Sequence, residues 1–129
     1  MALSTVERRI LIAARNRLKE HQNFFICGAI DKVRISRACR EEVADAKERL
    51  KKYIMARLEG QSTLSGWLNV GTQFGDGVSS FLIREARIAW ITWMLGEEPE
   101  FDENVKKALD AFVARREKHV AKFGARKWR

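Results

Sequence analysis

The chain has 129 residues and a formal net charge of +8, with 46% hydrophobic and 33% charged residues. This balance excludes a mostly disordered chain, and the length predicts a single domain over 1–129. No run reaches the roughly 18 uninterrupted apolar residues of a membrane span. Nothing marks a secreted chain either, so we expect a cytoplasmic protein with no membrane contact. One proline and abundant helix formers predict an all-α compact bundle of about five to six helices.

The first helix is predicted from about 4 to 19. Ser4 and Glu7 have the spacing of a capping box, and apolar residues follow at helical intervals. The next stretch, "NFFICGAIDKVR", is apolar on most sides, which favours a short buried helix over a strand, with Asn23 as its cap.

A long helix is predicted next, with Ser36 as its cap and Gly60 as its stop. Its apolar stripe consists of Val43, Ala46, Leu50, Ile54 and Leu58. "STLSGWLNV" then predicts a short helix that begins at Ser62 or Thr63.

"GTQFGDG" predicts a loop, followed by a strongly apolar helix over 78–95, with Ser79 and Ser80 as caps and Gly96 as its end. Asp102 is predicted to cap the last helix. Its amphipathic stripe consists of Val105, Leu109, Phe112, Val113, Val120 and Phe123.

Motifs for catalysis, metals and cofactors are missing from the sequence. The glycine loop lacks the lysine of GxxxxGK[ST], and no GxSxG or HExxH occurs. His21 and His119 do not stand at metal-ligand spacing, and Cys27 and Cys39 predict reduced thiols. We therefore expect a protein that is not an enzyme, with no metal and no cofactor.

Two arginines interrupt the apolar helix over 78–95. Arg84 and Arg87 share one helical face. Three roles are open: they reach the surface, they pair with Glu85 or the acidic segment 97–103, or they line a basic pocket for an anion. Trp90 is a candidate partner for the Arg87 guanidinium in a cation–π contact.

The C-terminal run "RREKHVAKFGARKWR" interleaves cations with two aromatic residues, which is typical of nucleic-acid or nucleotide binding. The alternative is a solvated helix face that ends in a flexible basic tail over 124–129. With the helix over 78–95, the candidate ligand-binding residues are Arg84, Arg87, Trp90, Arg115, Arg116, Lys118, Lys122, Arg126, Lys127 and Arg129.

Charge is divided into blocks along the chain. Residues 1–60 hold 14 Lys/Arg against 8 Asp/Glu, residues 61–104 hold 2 against 7, and residues 105–129 hold 9 against 2. The blocks fit an anionic partner, or contacts of opposite charge within the fold or between copies. Together with the surplus of aromatic residues they indicate a homo-oligomer.

Three blocks, "NFFICGAIDK", "TLSGWL" and "REARIAWITWML", resemble the pattern of small, uncharacterised helical proteins encoded by bacteriophages. The resemblance covers about 22–95. It implies a phage or prophage accessory protein that acts inside the bacterial cell by binding, for example by sequestering host immune nucleotides or blocking a defence complex.

The sequence thus predicts a binding protein that recognises an anionic ligand, either a nucleotide or nucleic acid, and that counteracts host defence. Two alternatives are an inhibitor that docks on a host defence complex, with its basic faces steering the encounter, and a structural or virion component.

Overall fold

The computed structural model describes residues 2–60, 66–73 and 78–123. Within these ranges the chain forms helices and no strand, so the all-α prediction is confirmed. The elements are α1 (Thr5–Lys19), α2 (Ile26–Lys32), α3 (Arg40–Glu59), a 3₁₀ helix (Gly66–Thr72), α4 (Ser80–Met94) and α5 (Glu103–Phe123). Among the described residues, no helix has the length and apolarity to cross a membrane.

Local side-chain caps begin three of the helices. Ser4 and Glu7 form the predicted capping box of α1. The Ser79 hydroxyl accepts a hydrogen bond from the backbone N–H of Leu82 at the start of α4, and Asp102 accepts one from that of Asn104 at the start of α5. These oxygens satisfy N–H groups that have no partner inside their helix.

Two predicted caps are wrong. α2 begins after Phe25, because the side chain of Asn23 accepts a hydrogen bond from Arg17 Nε instead (2.5 Å). α3 begins after Cys39, three positions later than predicted, because Arg37, directly after Ser36, has a positive φ of 57° and cannot be the first residue of a helix. At Asn23 a contact with Arg17 uses the side-chain oxygen that would cap the helix, whereas at Ser36 the backbone that follows is not helical.

The predicted short helix at "STLSGWLNV" is a 3₁₀ helix over Gly66–Thr72. Its proposed start at Ser62 or Thr63 lies outside the described residues. The predicted glycine loop begins inside this helix, and the rest of it is described only at Gln73.

α4 is the central helix of the described chain because it contributes to both hydrophobic clusters. Its second half, with Trp90, Ile91 and Met94, packs with α1, α2 and α3. Its first half, with Leu82 and Ala86, packs with the 3₁₀ helix and the first half of α5.

The second half of α5 lies outside this core. Phe112 is 2% exposed, and no described residue after it is fully buried. Val113 and Val120 are half-buried, whereas Phe123, which the apolar stripe placed inward, is 48% exposed. The inward stripe of α5 is therefore complete only over its first three turns.

α1 and α4 run antiparallel. Arg8, near the start of α1, donates a hydrogen bond to the carbonyl of Leu95, after the end of α4. Arg84, near the start of α4, donates one to the carbonyl of Leu18, near the end of α1. This arrangement brings the loop between α1 and α2 against the two arginines of α4.

Candidate functional site

The Arg87 guanidinium is buried and bonded to three backbone carbonyls. Nε donates to Gly71 (2.9 Å), Nη1 to Phe24 (3.1 Å) and Nη2 to Gln73 (3.0 Å). The side chain is only 5% exposed. Arg87 therefore ties α4 to the loop before α2 and to the end of the 3₁₀ helix.

Arg84 bonds to one carbonyl near the end of α1 and to one in the loop that follows. Its Nη1 donates to Leu18 (3.0 Å) and to Asn23 (2.6 Å), and its guanidinium carbon lies 5.2 Å from the centre of the Phe24 ring. Unlike Arg87, Arg84 is only half-buried and lines a surface cleft.

Of the three roles left open for Arg84 and Arg87, ion pairing with Glu85 or with the described acidic segment 97–103 does not occur. Within the described residues, the cation that pairs with the acidic segment is Arg15, which contacts Glu97 at 3.0 Å. Arg84 and Arg87 use carbonyl oxygens instead. Burial and the neighbouring charge of Arg84 lower the pKa of Arg87 to about 10.

Trp90 is buried and packs against the 3₁₀ helix. Its Nε1 donates to the carbonyl of Leu68 (2.7 Å), and the side chain is 1% exposed. The aromatic contacts of Arg87 are made with Phe24 and Phe25, at 4.5 and 4.9 Å from the ring centres. Trp90 as the cation–π partner of Arg87 is therefore wrong, and Phe24 and Phe25 take that role.

A cleft of about 610 Å³ lies beside Arg84, between α1, α4 and the segment 97–101. Its charged lining combines the cations Arg15, Lys19 and Arg84 with the acids Glu85, Glu97, Glu98 and Glu100. Carboxylates thus outnumber the arginines and lysine. The cleft is not a basic pocket, and this balance does not favour an anion.

Three exposed cations in the second half of α5 lie on one helical face. Arg115, Lys118 and Lys122 are exposed, and their spacing places them within about 60° of one another on the helix. Glu117 is exposed on the opposite side. We call Arg115, Lys118 and Lys122 the α5 basic face. Arg116 is half-buried and does not belong to it.

The remaining predicted site residues, Arg126, Lys127 and Arg129, lie outside the described residues, as does the whole predicted tail over 124–129. The structure thus describes seven of the ten candidates, and their environments differ. Arg84, Arg87 and Trp90 have bonds inside the fold, whereas the α5 basic face is open to solvent.

Two features were not predicted from the sequence. One is a basic segment over the loop before α3 and its first residue, where Arg34, Arg37 and Arg40 are exposed and Arg9 of α1 donates to the carbonyl of Ser36. The run "KVRISRACR", with four cations in nine residues, is a sequence signal for this segment. The other is an apolar cavity beside Arg87, for which the sequence carries no signal because its walls come from distant segments.

Among the described residues, no group of three or more His, Cys, Asp or Glu side chains is arranged to hold a metal ion. Comparison with known protein families, with curated proteins and with solved structures finds no match to this chain.

Proposed function

We propose that the protein binds nucleic acid and recognises its phosphate groups through the α5 basic face. The observation that carries the proposal is the exposure of Arg115, Lys118 and Lys122 on one side of a helix that extends past the core. None of the three forms an ion pair with another described residue. Their charges are thus available for phosphates, which dominate nucleic-acid affinity.

The length of the face favours a polynucleotide over a single nucleotide. Arg115 and Lys122 are separated by seven positions, or about 10 Å along the helix axis. Cations spread over that distance reach successive phosphates of a backbone, which a mononucleotide does not have. The sequence adds three cations and Trp128 immediately beyond α5, and aromatic side chains stack on bases.

Arg84 and Arg87 are assigned no part in nucleic-acid binding. Together they donate five hydrogen bonds to backbone carbonyls. A phosphate could bind all the N–H groups of Arg87 only by replacing its bonds to the carbonyls of Gly71 and Gln73. Both of these residues are buried. The resemblance to phage proteins supports a setting inside an infected bacterial cell, where the bound nucleic acid belongs to the phage or the host.

The test is the fluorescence anisotropy of labelled single- and double-stranded oligonucleotides, titrated at several salt concentrations. The variant Arg115→Gln/Lys118→Gln/Lys122→Gln should bind more weakly on every sequence. Against duplex DNA, its plot of log affinity against log salt should be shallower by about 2.7 if all three cations contact phosphates.

A matched control removes three exposed cations outside α5, in Lys19→Gln/Lys32→Gln/Lys52→Gln. Both variants lower the formal net charge from +8 to +5. Equal losses in the two variants would show that net charge alone drives association, and the α5 basic face would then be the wrong surface. Absence of binding to any oligonucleotide at low salt would overturn the proposed function.

A further inference from the structure

A cavity of about 400 Å³ lies between α2, α3, the 3₁₀ helix and α4. It is lined by Phe25, Ile26, Cys27, Ile54, Met55, Leu58, Gly71, Thr72, Arg87 and Trp90. Most of these side chains are apolar, and the volume is within the range of small-molecule sites. Phe25 and Met55 are 50% and 49% exposed, so the opening of the cavity is also apolar.

Arg87 is the only charged residue in the described lining of the cavity. Its carbonyl partners supply dipoles but no negative charge, and no carboxylate of the described residues forms an ion pair with it. Buried charges in proteins are normally paired with an opposite charge. Arg84, a second cation on the same helical face, adds repulsion.

The guanidinium also has unused hydrogen-bonding capacity. It carries five N–H groups, and the three bonds to carbonyls use one each on Nε, Nη1 and Nη2. Among the described residues, one N–H on each of Nη1 and Nη2 therefore has no acceptor. Two N–H groups on adjacent nitrogens match the two oxygens of a carboxylate.

We propose that this cavity binds a small amphiphilic anion, with its carboxylate at Arg87 and its apolar tail among Ile26, Ile54 and Leu58. The ligand would supply the negative charge that the described chain does not place beside Arg87. The apolar walls would remove its tail from water. This site shares no residue with the α5 basic face, so either one can fail without the other.

The first experiment is isothermal titration calorimetry of the full chain with octanoate, octanol and octylammonium, which share one tail. Octanoate should bind at least about tenfold more tightly than octanol, because a hydrogen bond to a charged group is lost. Octylammonium should not bind. Decanoate should bind roughly fifteenfold more tightly than octanoate if both added methylenes are buried.

Cysteine substitutions locate the site. Cys27 lines the cavity and Cys39 is exposed outside it, so Cys27→Phe should abolish octanoate binding whereas Cys39→Phe should leave it unchanged. Both variants should retain nucleic-acid binding. If Cys27→Phe does not fold, the wild-type chain still gives an answer, because bound octanoate should slow iodoacetamide labelling of Cys27 and leave that of Cys39 unchanged.

Three results would overturn the proposal. The first is equal affinity of the chain for octanoate, octanol and octylammonium. The second is octanoate binding that persists in a folded Cys27→Phe variant. The third is the absence of octanoate binding by the wild-type chain. In the last case the cavity has no role as a carboxylate site, whatever the oligonucleotide titrations show.

Discussion

Gly71 packs directly against the indole ring of Trp90. A Cβ atom at this glycine would lie 2.8 Å from both Cδ1 and Nε1 of the ring, closer than such contacts allow. The indole is fixed in turn by the bond from Nε1 to the carbonyl of Leu68 (2.7 Å). The contact between the 3₁₀ helix and α4 thus depends on a residue without a side chain.

Gly71→Ala should lower the free energy of unfolding by about 1 to 3 kcal/mol, because Trp90 must shift from its packed position. Chemical denaturation followed by circular dichroism gives the difference. Gly28→Ala, within α2, is the control, since its Cβ would lie at an ordinary contact distance of 3.6 Å from Asn23 Nδ2 in the preceding loop. It should leave stability unchanged or raise it by up to about 1 kcal/mol. Equal effects of the two substitutions would contradict the packing argument.

Arg87→Met should lower the free energy of unfolding by about 2 to 4 kcal/mol. The substitution removes the donor from three carbonyls, two of them on buried residues, and an unsatisfied buried acceptor is costly. Relief of the buried charge offsets part of this loss. Arg34→Met, at an exposed position, should change the value by about 0.5 kcal/mol or less. A fully stable Arg87→Met protein would mean that the carbonyl contacts contribute little to stability.

Ser4→Ala should cost about 1 kcal/mol of stability, because the N–H of Glu7 loses the hydroxyl that caps α1. Ser36→Ala is the matched control. Ser36 is also a serine shortly before a helix, but it does not cap α3, which begins at Arg40. Its effect on the denaturation midpoint should be negligible. If the two substitutions cost the same, the hydroxyl of Ser4 would not be acting as a cap.

Cys39 should react with iodoacetamide before Cys27. Burial, and to a smaller extent the charge of Asp31, raises the pKa of the Cys27 thiol above its usual 9.0. At pH 8 a smaller fraction of Cys27 is therefore the reactive thiolate than for a thiol with the ordinary pKa. The labelling rate of Cys27 should keep rising as the pH passes 9. Mass spectrometry of peptides after timed labelling measures both rates. Faster labelling of Cys27 at pH 8 would contradict its partly buried position.

Several helix starts could be predicted from the sequence because side-chain caps act over short distances along the chain. The caps at Ser4, Ser79 and Asp102 each act within three positions of themselves, so the pattern alone was sufficient. The cap predicted at Asn23 failed because Arg17 uses its side-chain oxygen, and the cap predicted at Ser36 failed because Arg37 has a positive φ. The exposure of the cations near the end of α5 followed from the helical period, which separates them from the apolar stripe.

The sequence by itself determined the helical class, the apolar stripes and the basic character of the C-terminal end, because each depends on residue type and short-range spacing. Only the tertiary structure decided what Arg84 and Arg87 contact. Their acceptors belong to residues between 14 and 66 positions away and are backbone carbonyls, which every residue possesses and no sequence pattern marks. The cavity beside Arg87 exists for the same reason, since its walls meet only when α2, α3 and α4 pack together.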